Sequence, residues 1–245
     1  MRYYPVYLDL RGRSCVVVGG GEVATRKVEN LLAAGARVTV VSPSVSATLA
    51  AMTETHEILH HARPYRRGDL QGAVLAYAAT NDKALHAEIA AEAAAASVLL
   101  NVVDRPSFCS FIAPALMTRG AVSVAVSTGG ASPALASRLR RDIEKTVGPE
   151  YGLAAAILGE LRPIVGGAEI APAERARVFR ALADSPLLGA LRARDAAAVD
   201  AILEAHVGPG TTLAVLGVSL DTAGTPHRDD EDAQDEGADD GTPAA

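Results

Sequence analysis

A buried strand, a glycine-rich turn and a helix follow one another without interruption in residues 14–34, and this succession restricts the fold more than any other feature. The strand is SCVVV, a continuous and β-branched apolar run that is typical of a strand buried on both faces. Residues 22–34 then place four apolar side chains near one helical face, and Gly35 ends the helix. The segment is therefore a strand–turn–helix unit of an α/β protein.

The same alternation continues as far as residue 104. Further strands are predicted over ARVTVVSP, EILHHARPY, AVLAYAAT and VLLNVVD, at residues 36–43, 57–65, 73–80 and 98–104. Asn81 or Asp82 can cap a helix that extends to about Ala96. Strands that alternate with helices predict an α/β fold, with a Rossmann-type parallel sheet and helices on both of its faces.

The pattern changes after this region. Two apolar runs meet at Arg119-Gly120, which predicts an antiparallel pair of strands. Ser132 at the N-cap, followed by Pro133, is a strong signal for the start of a helix. The chain is then predicted to be helical over residues 151–206, with breaks near Gly166-Gly167 and Asp184-Ser185-Pro186, and to carry an apolar run of unassigned type at 208–219.

The negative charge is concentrated in one segment. The formal net charge is −6, but eight of the 29 acids fall in Asp229–Asp240, which contains no base. The rest of the chain has 23 bases against the remaining 21 acids, so it is nearly neutral and no nucleic-acid partner is expected. A run of like charges cannot form a core, so residues 223–245 are predicted to be a disordered acidic tail.

Cysteine usage and hydropathy indicate a cytoplasmic protein. Cys15 and Cys109 have no metal-binding spacing, and a reducing compartment explains them most simply. Residues 1–13 lack the apolar stretch of a signal peptide, and no apolar run approaches the ~20 residues of a membrane span. No membrane partner is therefore expected. The six histidines form no H-E-x-x-H motif, so they predict no metal site.

The glycine-rich turn has the pattern of a dinucleotide-binding site. Gly19-Gly20-Gly21-Glu22-Val23-Ala24 reads G-x-G-x-x-A, directly after a strand and directly before a helix. The glycines allow a tight turn and a close approach of the backbone to a pyrophosphate, while the helix N-terminus supplies amide donors. The alternative is a glycine-rich turn that binds no ligand.

The end of the second strand lacks the acid that many NAD sites use to bind the adenosine ribose. Val41-Ser42-Pro43-Ser44 stands there instead, so Ser42 or the local backbone would replace that acid. The stretch contains no base to hold a 2′-phosphate, which favours NAD, although the sequence alone does not separate NAD from NADP.

Asp104 ends the predicted fifth strand. Ligands bind beyond the carboxyl ends of the strands in such sheets, so its carboxylate would face the cofactor cleft as a general base or metal ligand. The alternative is an aspartate that only caps a turn.

A second loop, Ser127-Thr128-Gly129, leads towards the helix that begins at Pro133. Its amides and hydroxyls suit a carboxylate, although ordinary capping by Ser132 explains the loop equally well. Arg138 and Arg141 share one face of the helix, where they either bind a polyanion or face solvent.

Seven segments occur in an order and spacing that are together far more specific than any one motif. They are Tyr4-Pro5-Val6, Val16–Lys27, Ala34–Val40, Ala78-Ala79-Thr80-Asn81-Asp82, Asn101–Asp104, Ser110–Ala115 and Val124–Pro133. Over about residues 1–150 the chain thereby resembles the precorrin-2 dehydrogenase family, which comprises the amino-terminal module of siroheme synthase and its stand-alone relatives. The methyltransferase domain of the full synthase would not fit in the remaining length.

The resemblance implies a homodimer built from an NAD-binding Rossmann domain at residues 1–112, a dimerisation region at 113–150 and a helical domain at 151–222. The positions that match contacts to NAD are Glu22, Val23, Pro43 and Ser44, with Thr80 in a further matching segment. Asp104 matches an aspartate implicated in dehydrogenation and, in bifunctional members, in metal insertion. Thr128 stands where some members have a serine linked to tetrapyrrole binding or phosphorylation.

The reaction implied by the resemblance is the NAD-dependent oxidation of precorrin-2 to sirohydrochlorin. Precorrin-2 is a tetrapyrrole with many carboxylates, so Arg105, Arg119 and Arg138 are expected to bind it. One alternative is a bifunctional enzyme that is also a sirohydrochlorin ferrochelatase, with Asp104 as the transient metal ligand. Another is a non-catalytic NAD(H)-sensing regulator, which the mixed charges of residues 169–206 disfavour because a DNA-binding helix needs a basic face.

Overall fold

The computed structural model of the chain describes residues 2–167 and 171–221. The chain divides into two compact units, residues 1–113 and 114–245. The predicted acidic tail at 223–245 lies outside the described residues. The finer division of the second unit at residue 150 stays a prediction.

The first unit contains one parallel sheet of five strands in the order β3-β2-β1-β4-β5. Its strands are β1 Ser14–Val18, β2 Arg37–Val41, β3 Ile58–His61, β4 Leu75–Ala78 and β5 Leu99–Val102, and its helices are α1 Glu22–Ala33, α2 Ala47–Glu54 and α3 Lys83–Ala96. The predicted α/β Rossmann-type fold is confirmed. The strand order reverses between β1 and β4, which are adjacent, so the loops that follow these strands open a crevice at the carboxyl edge.

Alternate residues of β1 enter two different apolar cores, one on each face of the sheet. Cys15 and Val17 pack in the same cluster as Val28 of α1. Val16 and Val18 belong to the other cluster, which includes Ile89 of α3. Because a strand presents successive side chains to opposite faces, α1 and α3 cover opposite faces, as the sequence predicts.

Two features of the first unit differ from the sequence prediction. The fifth strand ends at Val102, so Asp104 lies in a turn two residues beyond the strand rather than at its end. Helix α2 is not predicted by the sequence. It is short, and Leu49 is its one buried residue, so the apolar repeat that would reveal it is too brief.

The connection between β3 and β4 has no helix and is held by a buried carboxylate on α3. Glu92 accepts hydrogen bonds from the Tyr65 hydroxyl at 2.6 Å and from the amides of Gly68 and Leu70, each at 3.0 Å. Both Tyr65 and Glu92 are buried. The Glu92 carboxylate therefore accepts hydrogen bonds from amides that, in a helix or strand, would donate to backbone carbonyl oxygens.

The second unit begins with the antiparallel pair β6 Ala115–Arg119 and β7 Val122–Val126, followed by α4 Pro133–Glu144. Arg119 pairs with Val122, so the turn is formed by Gly120 and Ala121. The predicted antiparallel pair is confirmed, with its turn one residue later. The predicted helix start is confirmed too, since the Ser132 hydroxyl accepts a hydrogen bond from the amide of Leu135 at 3.2 Å.

The rest of the second unit is helical around its own apolar core. The helices are α5 Pro149–Gly167, α6 Pro172–Ala183, α7 Leu187–Ala193, α8 Ala196–His206 and α9 Leu213–Leu216. Ile157, Leu161, Leu182 and Leu203 form the centre of the core, each 0% exposed. The sequence misses the break between α7 and α8, where Arg194 adopts a left-handed φ of 54°. In the described part of the chain, no helix has the length and apolarity to cross a membrane.

Candidate active site

The first two glycines of the turn after β1 leave no room for a side chain. A Cβ at Gly19, whose φ is +125°, would overlap the carbonyl oxygen of Ala79 in the loop after β4. A Cβ at Gly20 would overlap the carbonyl oxygen of Ser44 in the loop after β2. The glycine loop, residues 19–21, is thus the point at which the loops from three neighbouring strands meet.

Gly21 differs from its neighbours because the chain leaves the space beside it open. A Cβ at Gly21 would have no atom within 4 Å, and the residue is exposed. It is the N-cap of α1, and no side chain caps the amides of that helix. An open approach to uncapped amides at a helix N-terminus is the arrangement that binds a pyrophosphate. The glycine loop therefore fits a dinucleotide, as the sequence predicts.

The loop after β2 is tied to the glycine loop directly by one hydrogen bond and indirectly through Thr25 of α1. The amide of Ser46 donates to the Gly20 carbonyl oxygen at 2.7 Å, and the hydroxyls of Ser46 and Thr25 lie 2.8 Å apart. Thr25 also donates to the Gly21 carbonyl oxygen at 3.1 Å. The sequence pattern does not predict these roles of Thr25 and Ser46, although the Thr25 hydroxyl directly follows the G-x-G-x-x-A motif.

Within that loop, Ser42 has a different position from its two neighbours. Ser42 is buried, and its hydroxyl donates to the Ser44 carbonyl oxygen at 2.7 Å. Its own carbonyl oxygen lies 2.9 Å from Nε2 of His60. Pro43 and Ser44 are exposed, and so are Glu22 and, in part, Val23 on α1. Ser42 therefore shapes the loop, while Pro43 and Ser44 present its surface.

Thr80 lies in the loop after β4, at the same edge of the sheet as the glycine loop. Its hydroxyl accepts a hydrogen bond from the amide of Asp82 at 3.2 Å, and its carbonyl oxygen lies 3.0 Å from Nε2 of His86. His86 is buried in the first turn of α3. Asp82 is the N-cap of α3 and accepts from the amide of Ala84 at 3.0 Å. His86 was missed by the sequence analysis, and it fixes the backbone beside Thr80.

Asp104 lies in an exposed turn that follows β5, again at the carboxyl edge. Its φ is 58°, a left-handed conformation that is uncommon for residues other than glycine and that recurs at functional sites. Within the described residues, no donor or cation is paired with its carboxylate. The turn itself is closed by the amide of Arg105, which donates to the Val102 carbonyl oxygen at 3.2 Å. Arg105 is exposed beside it.

In the second unit, the loop after β7 is closed by its own hydroxyls. Thr128 accepts from the amide of Ser132 at 2.9 Å and donates to the carbonyl oxygen of the same residue at 3.0 Å. Ser127 accepts from the amide of Gly129 at 3.0 Å. Both hydroxyls thus serve as internal caps, and Gly129 and Ser127 remain exposed.

The two arginines of the second unit that are expected to bind the substrate, Arg119 and Arg138, have acidic partners. Arg138 donates to Asp142 at 3.0 Å, and Arg119 lies 3.7 Å from Glu144. Arg119 lies at the turn end of the β6–β7 pair, whereas Ser127 follows its opposite end. The two are separated by roughly 14 Å of strand. The structure therefore does not group Arg119 with the loop Ser127-Thr128-Gly129.

The side chains of the described residues do not gather into a metal site. Among residues 2–167 and 171–221, no three or more His, Cys, Asp or Glu side chains are arranged to hold a metal ion. The first unit thus presents a glycine loop, two loops tied to it and an aspartate, all at one edge of the sheet.

Two family models match the chain. The model described as a putative NAD(P)-binding domain matches residues 6–115, and the model of the central region of sirohaem biosynthesis proteins matches residues 119–146. The first match covers the whole five-stranded sheet. The second begins at Arg119, the last residue of β6, and covers β7 and α4.

Individual proteins give the same result. The siroheme synthase of Methylobacillus flagellatus is 45% identical over 165 residues, which are 67% of this chain and 35% of that protein. The siroheme synthase of Nitrosospira multiformis is 39% identical over 221 residues, 89% of this chain and 47% of that protein. The chain thus spans less than half the length of these curated relatives. Among solved structures, SirC, a precorrin-2 dehydrogenase, matches 76% of this chain and 92% of its own, with a TM-score of 0.64 and 29% identity.

Proposed function

The chain belongs to the precorrin-2 dehydrogenase family, which includes the amino-terminal module of siroheme synthase, and on this premise we propose that it oxidises precorrin-2 to sirohydrochlorin with NAD⁺ in siroheme biosynthesis. One observation carries the proposal. Gly21, at the uncapped N-terminus of α1, and Asp104, in the turn after β5, stand at the same carboxyl edge of the sheet. A dinucleotide site and a proton acceptor are the two parts that such an oxidoreductase needs.

The residues that would hold NAD are those of the glycine loop and the loops tied to it. The amides after Gly21 would bind the pyrophosphate, and Gly19 and Gly20 keep the backbone close enough to do so. Glu22 and Val23 would flank the pyrophosphate, while Pro43 and Ser44 would meet the adenosine ribose. Ser42 and Thr80 would set the shapes of their loops. When bound, the nicotinamide supplies the acceptor for one hydride.

Asp104 would take up the proton that leaves with the hydride. The reaction removes two hydrogens from the macrocycle, one as hydride and one as a proton, so a base must accept the proton directly or through water. An exposed carboxylate with no cation or donor paired to it among the described residues is available for this task. Its left-handed turn fixes the backbone from which the side chain extends.

Cationic side chains and backbone amides would bind the carboxylates of the macrocycle. Arg105, beside Asp104, is exposed and would contact the part of the substrate nearest the reacting carbon. The loop Ser127-Thr128-Gly129 would offer the backbone amides of Ser127 and Thr128, with Arg138 on the following helix. Arg119, at the other end of the β6–β7 pair, would reach a different edge of the substrate.

We also propose a cytoplasmic homodimer that pairs through the region 113–150. Leu135 and Leu139, one helical turn apart on α4, are 58% and 48% exposed. They therefore place apolar surface in contact with water on one face of the helix, which is unfavourable unless another surface covers it. A second copy of the chain would cover them. Sedimentation velocity on the wild type and on Leu135→Glu tests this proposal, which requires a dimer in the first and a monomer in the second.

An anaerobic assay with precorrin-2 tests the proposed activity and its alternatives together. We expect the absorbance of NADH to rise in step with the sirohydrochlorin spectrum. A parallel reaction on sirohydrochlorin with Fe²⁺ or Co²⁺ tests the ferrochelatase alternative, a lyase activity. NAD binding without any turnover of precorrin-2 would favour the sensing regulator and would refute the dehydrogenase.

A further inference from the structure

The connection that follows β3 carries a base next to the loop proposed for the adenosine ribose. The carbonyl oxygen of His61, the last residue of β3, accepts hydrogen bonds from the amide of Ser42 at 3.2 Å and from the amide of Arg63 at 2.8 Å. One carbonyl oxygen thus joins the backbone of Arg63 to the backbone that follows β2. In a Rossmann-type sheet, the residues after the second strand decide between the ribose of NAD and the 2′-phosphate of NADP.

The guanidinium of Arg63 forms an ion pair with Asp69, an acid further along the same connection. Nη1 donates to Asp69 Oδ2 at 2.8 Å, and Nη2 donates to Oδ1 at 2.7 Å. This two-point pair is well protected from water, because the side chains of Arg63 and Asp69 are 28% and 10% exposed. Asp69 also accepts the amide of Arg66 at 2.8 Å, so its own position is fixed.

We propose that Asp69 makes the enzyme selective for NAD by withholding Arg63 from the 2′-phosphate of NADP. A guanidinium binds a phosphate through the same pair of parallel N–H donors that it offers to a carboxylate, so Arg63 cannot serve Asp69 and the phosphate together. The ribose hydroxyl of NAD requires no cation there. The inference rests on the proposed NAD site and identifies the residue pair that sets its cofactor preference.

The loop after β2 has no base of its own, because Val41-Ser42-Pro43-Ser44 contains no arginine or lysine. That absence explains why the loop after β2 itself offers nothing to a 2′-phosphate. Arg63 is the nearest arginine or lysine through the hydrogen-bonded backbone, and its pairing with Asp69 explains why it offers no donors to a 2′-phosphate. Arg66 and Arg67 follow on the same connection but have no backbone bond to β2 or β3, so they provide matched controls.

The test is the dissociation constant of NADP relative to that of NAD, measured by calorimetry on full-length variants. Asp69→Asn keeps the shape and can still accept the amide of Arg66, but it breaks the two-point ion pair. We expect the NADP-to-NAD ratio to shift towards NADP by about tenfold, the size of one charged hydrogen-bonded contact at a partly exposed site. Adding Arg63→Gln to Asp69→Asn should return the ratio to its wild-type value, and Arg66→Gln should leave it unchanged.

The results distinguish a role of Asp69 in selecting the cofactor from a role in stabilising the loop. A general loosening of the loop would weaken NAD and NADP alike and leave the ratio where it was, which overturns the inference. A gain for NADP that persists in the double variant also overturns it, since another base would then be responsible. If Asp69→Asn does not fold, Asp69→Ser keeps an acceptor for Arg66 without the charge and is judged in the same way. Wild-type protein that binds neither nucleotide would refute the proposed function itself, whereas normal NAD binding with an unmoved ratio would refute only this inference.

Discussion

The thiol of Cys109 accepts a hydrogen bond from the amide of Val102, 3.2 Å away, and thereby holds the last residue of β5. The same sulfur donates towards the carbonyl oxygens of Val102 and Arg105, at 3.3 and 3.4 Å. These two residues flank the turn that carries Asp104. The half-buried side chain of Cys109 thus bridges the start and the end of that turn. Cys109 therefore helps to position Asp104, the proposed base.

Replacing Cys109 should therefore affect turnover more than nucleotide binding. Cys109→Val removes the acceptor and the donor, and we expect kcat to fall about fivefold, as for the loss of an orienting bond of ~1 kcal/mol. The Kd for NAD should stay unchanged, because the glycine loop is not touched. Cys109→Ser restores a group that can both accept and donate, so it should recover most of the loss. Equal kcat values in all three proteins would show that the turn keeps its conformation without the hydrogen bonds of Cys109.

Substitutions at Gly21 separate cofactor binding from folding. The space beside Gly21 is open, and aspartate is a favourable N-cap, so Gly21→Asp should leave the protein folded and no less stable. Its carboxylate would stand where the pyrophosphate binds, and NAD binding should be lost. Gly21→Asn adds similar bulk without charge and should weaken binding less. Gly20→Ala, by contrast, should destabilise the fold because its Cβ would overlap Ser44. Calorimetry and thermal unfolding of the three variants test this, and tight NAD binding by folded Gly21→Asp would move the site elsewhere.

The buried carboxylate of Glu92 should be among the most important polar groups for the stability of the first unit. Burial and the neighbouring Glu92 raise the pKa of the Tyr65 hydroxyl well above its ordinary value, so the phenol remains a donor. Glu92→Ala leaves that phenol and two amides without their acceptor, and should lower the free energy of unfolding by about 3 kcal/mol. Glu88→Ala, at an exposed position one turn earlier on α3, should change it by less than about 0.5 kcal/mol. Urea unfolding of the two variants measures the difference, and equal effects would contradict the assigned role.

The Arg63–Asp69 pair should make stability depend on acid pH. Hydrogen bonds from Arg63 hold the pKa of Asp69 below its usual value in the folded protein. A carboxyl group whose folded pKa is lowered contributes stability above its unfolded pKa of about 3.9 and loses it as the pH falls through the folded pKa. The wild type should therefore exceed Asp69→Asn in unfolding free energy at about pH 6, and the gap should shrink steadily below about pH 4. A gap that does not change with pH would show that the charge of Asp69 plays no part.

Much of the sheet could be predicted because its signals are local. Apolar runs revealed β1, β2, β4 and β5, a weaker pattern at residues 57–65 revealed β3, and the glycine loop marked the first turn. Helix α2 was missed because Leu49 is its one buried residue, so its sequence carries little periodicity. The end of β5 was placed too late because Asn101-Val102-Val103-Asp104 reads as one run, and nothing in those letters requires a left-handed turn at Asp104.

The ties within the site could not be predicted, because they depend on contacts between residues distant in sequence. Thr25, in the first turn of α1, meets Ser46, the N-cap of α2, only in the folded sheet. The buried hydroxyl of Ser42 likewise donates to the Ser44 carbonyl oxygen only once the loop after β2 is formed. The pairing of Arg63 with Asp69 spans six residues of irregular backbone, for which no spacing rule exists. The sequence thus predicted which loops lie at the carboxyl edge of the sheet, whereas the structure shows what fixes them.

The measurement that tests the central claim most directly is anaerobic precorrin-2 oxidation by Asp104→Ala and Asp104→Asn, with NAD binding measured on the same samples. We expect normal NAD affinity in both variants, since the glycine loop is untouched. In Asp104→Ala, kcat should fall by roughly 10²–10⁴-fold. Asp104→Asn keeps the shape but cannot accept a proton, so it should be similarly impaired. If Asp104→Asn alone stays active, Asp104 only orients the substrate and water takes the proton. If folded, NAD-binding Asp104→Ala oxidises precorrin-2 at nearly the wild-type rate, the catalytic centre does not lie at the turn after β5.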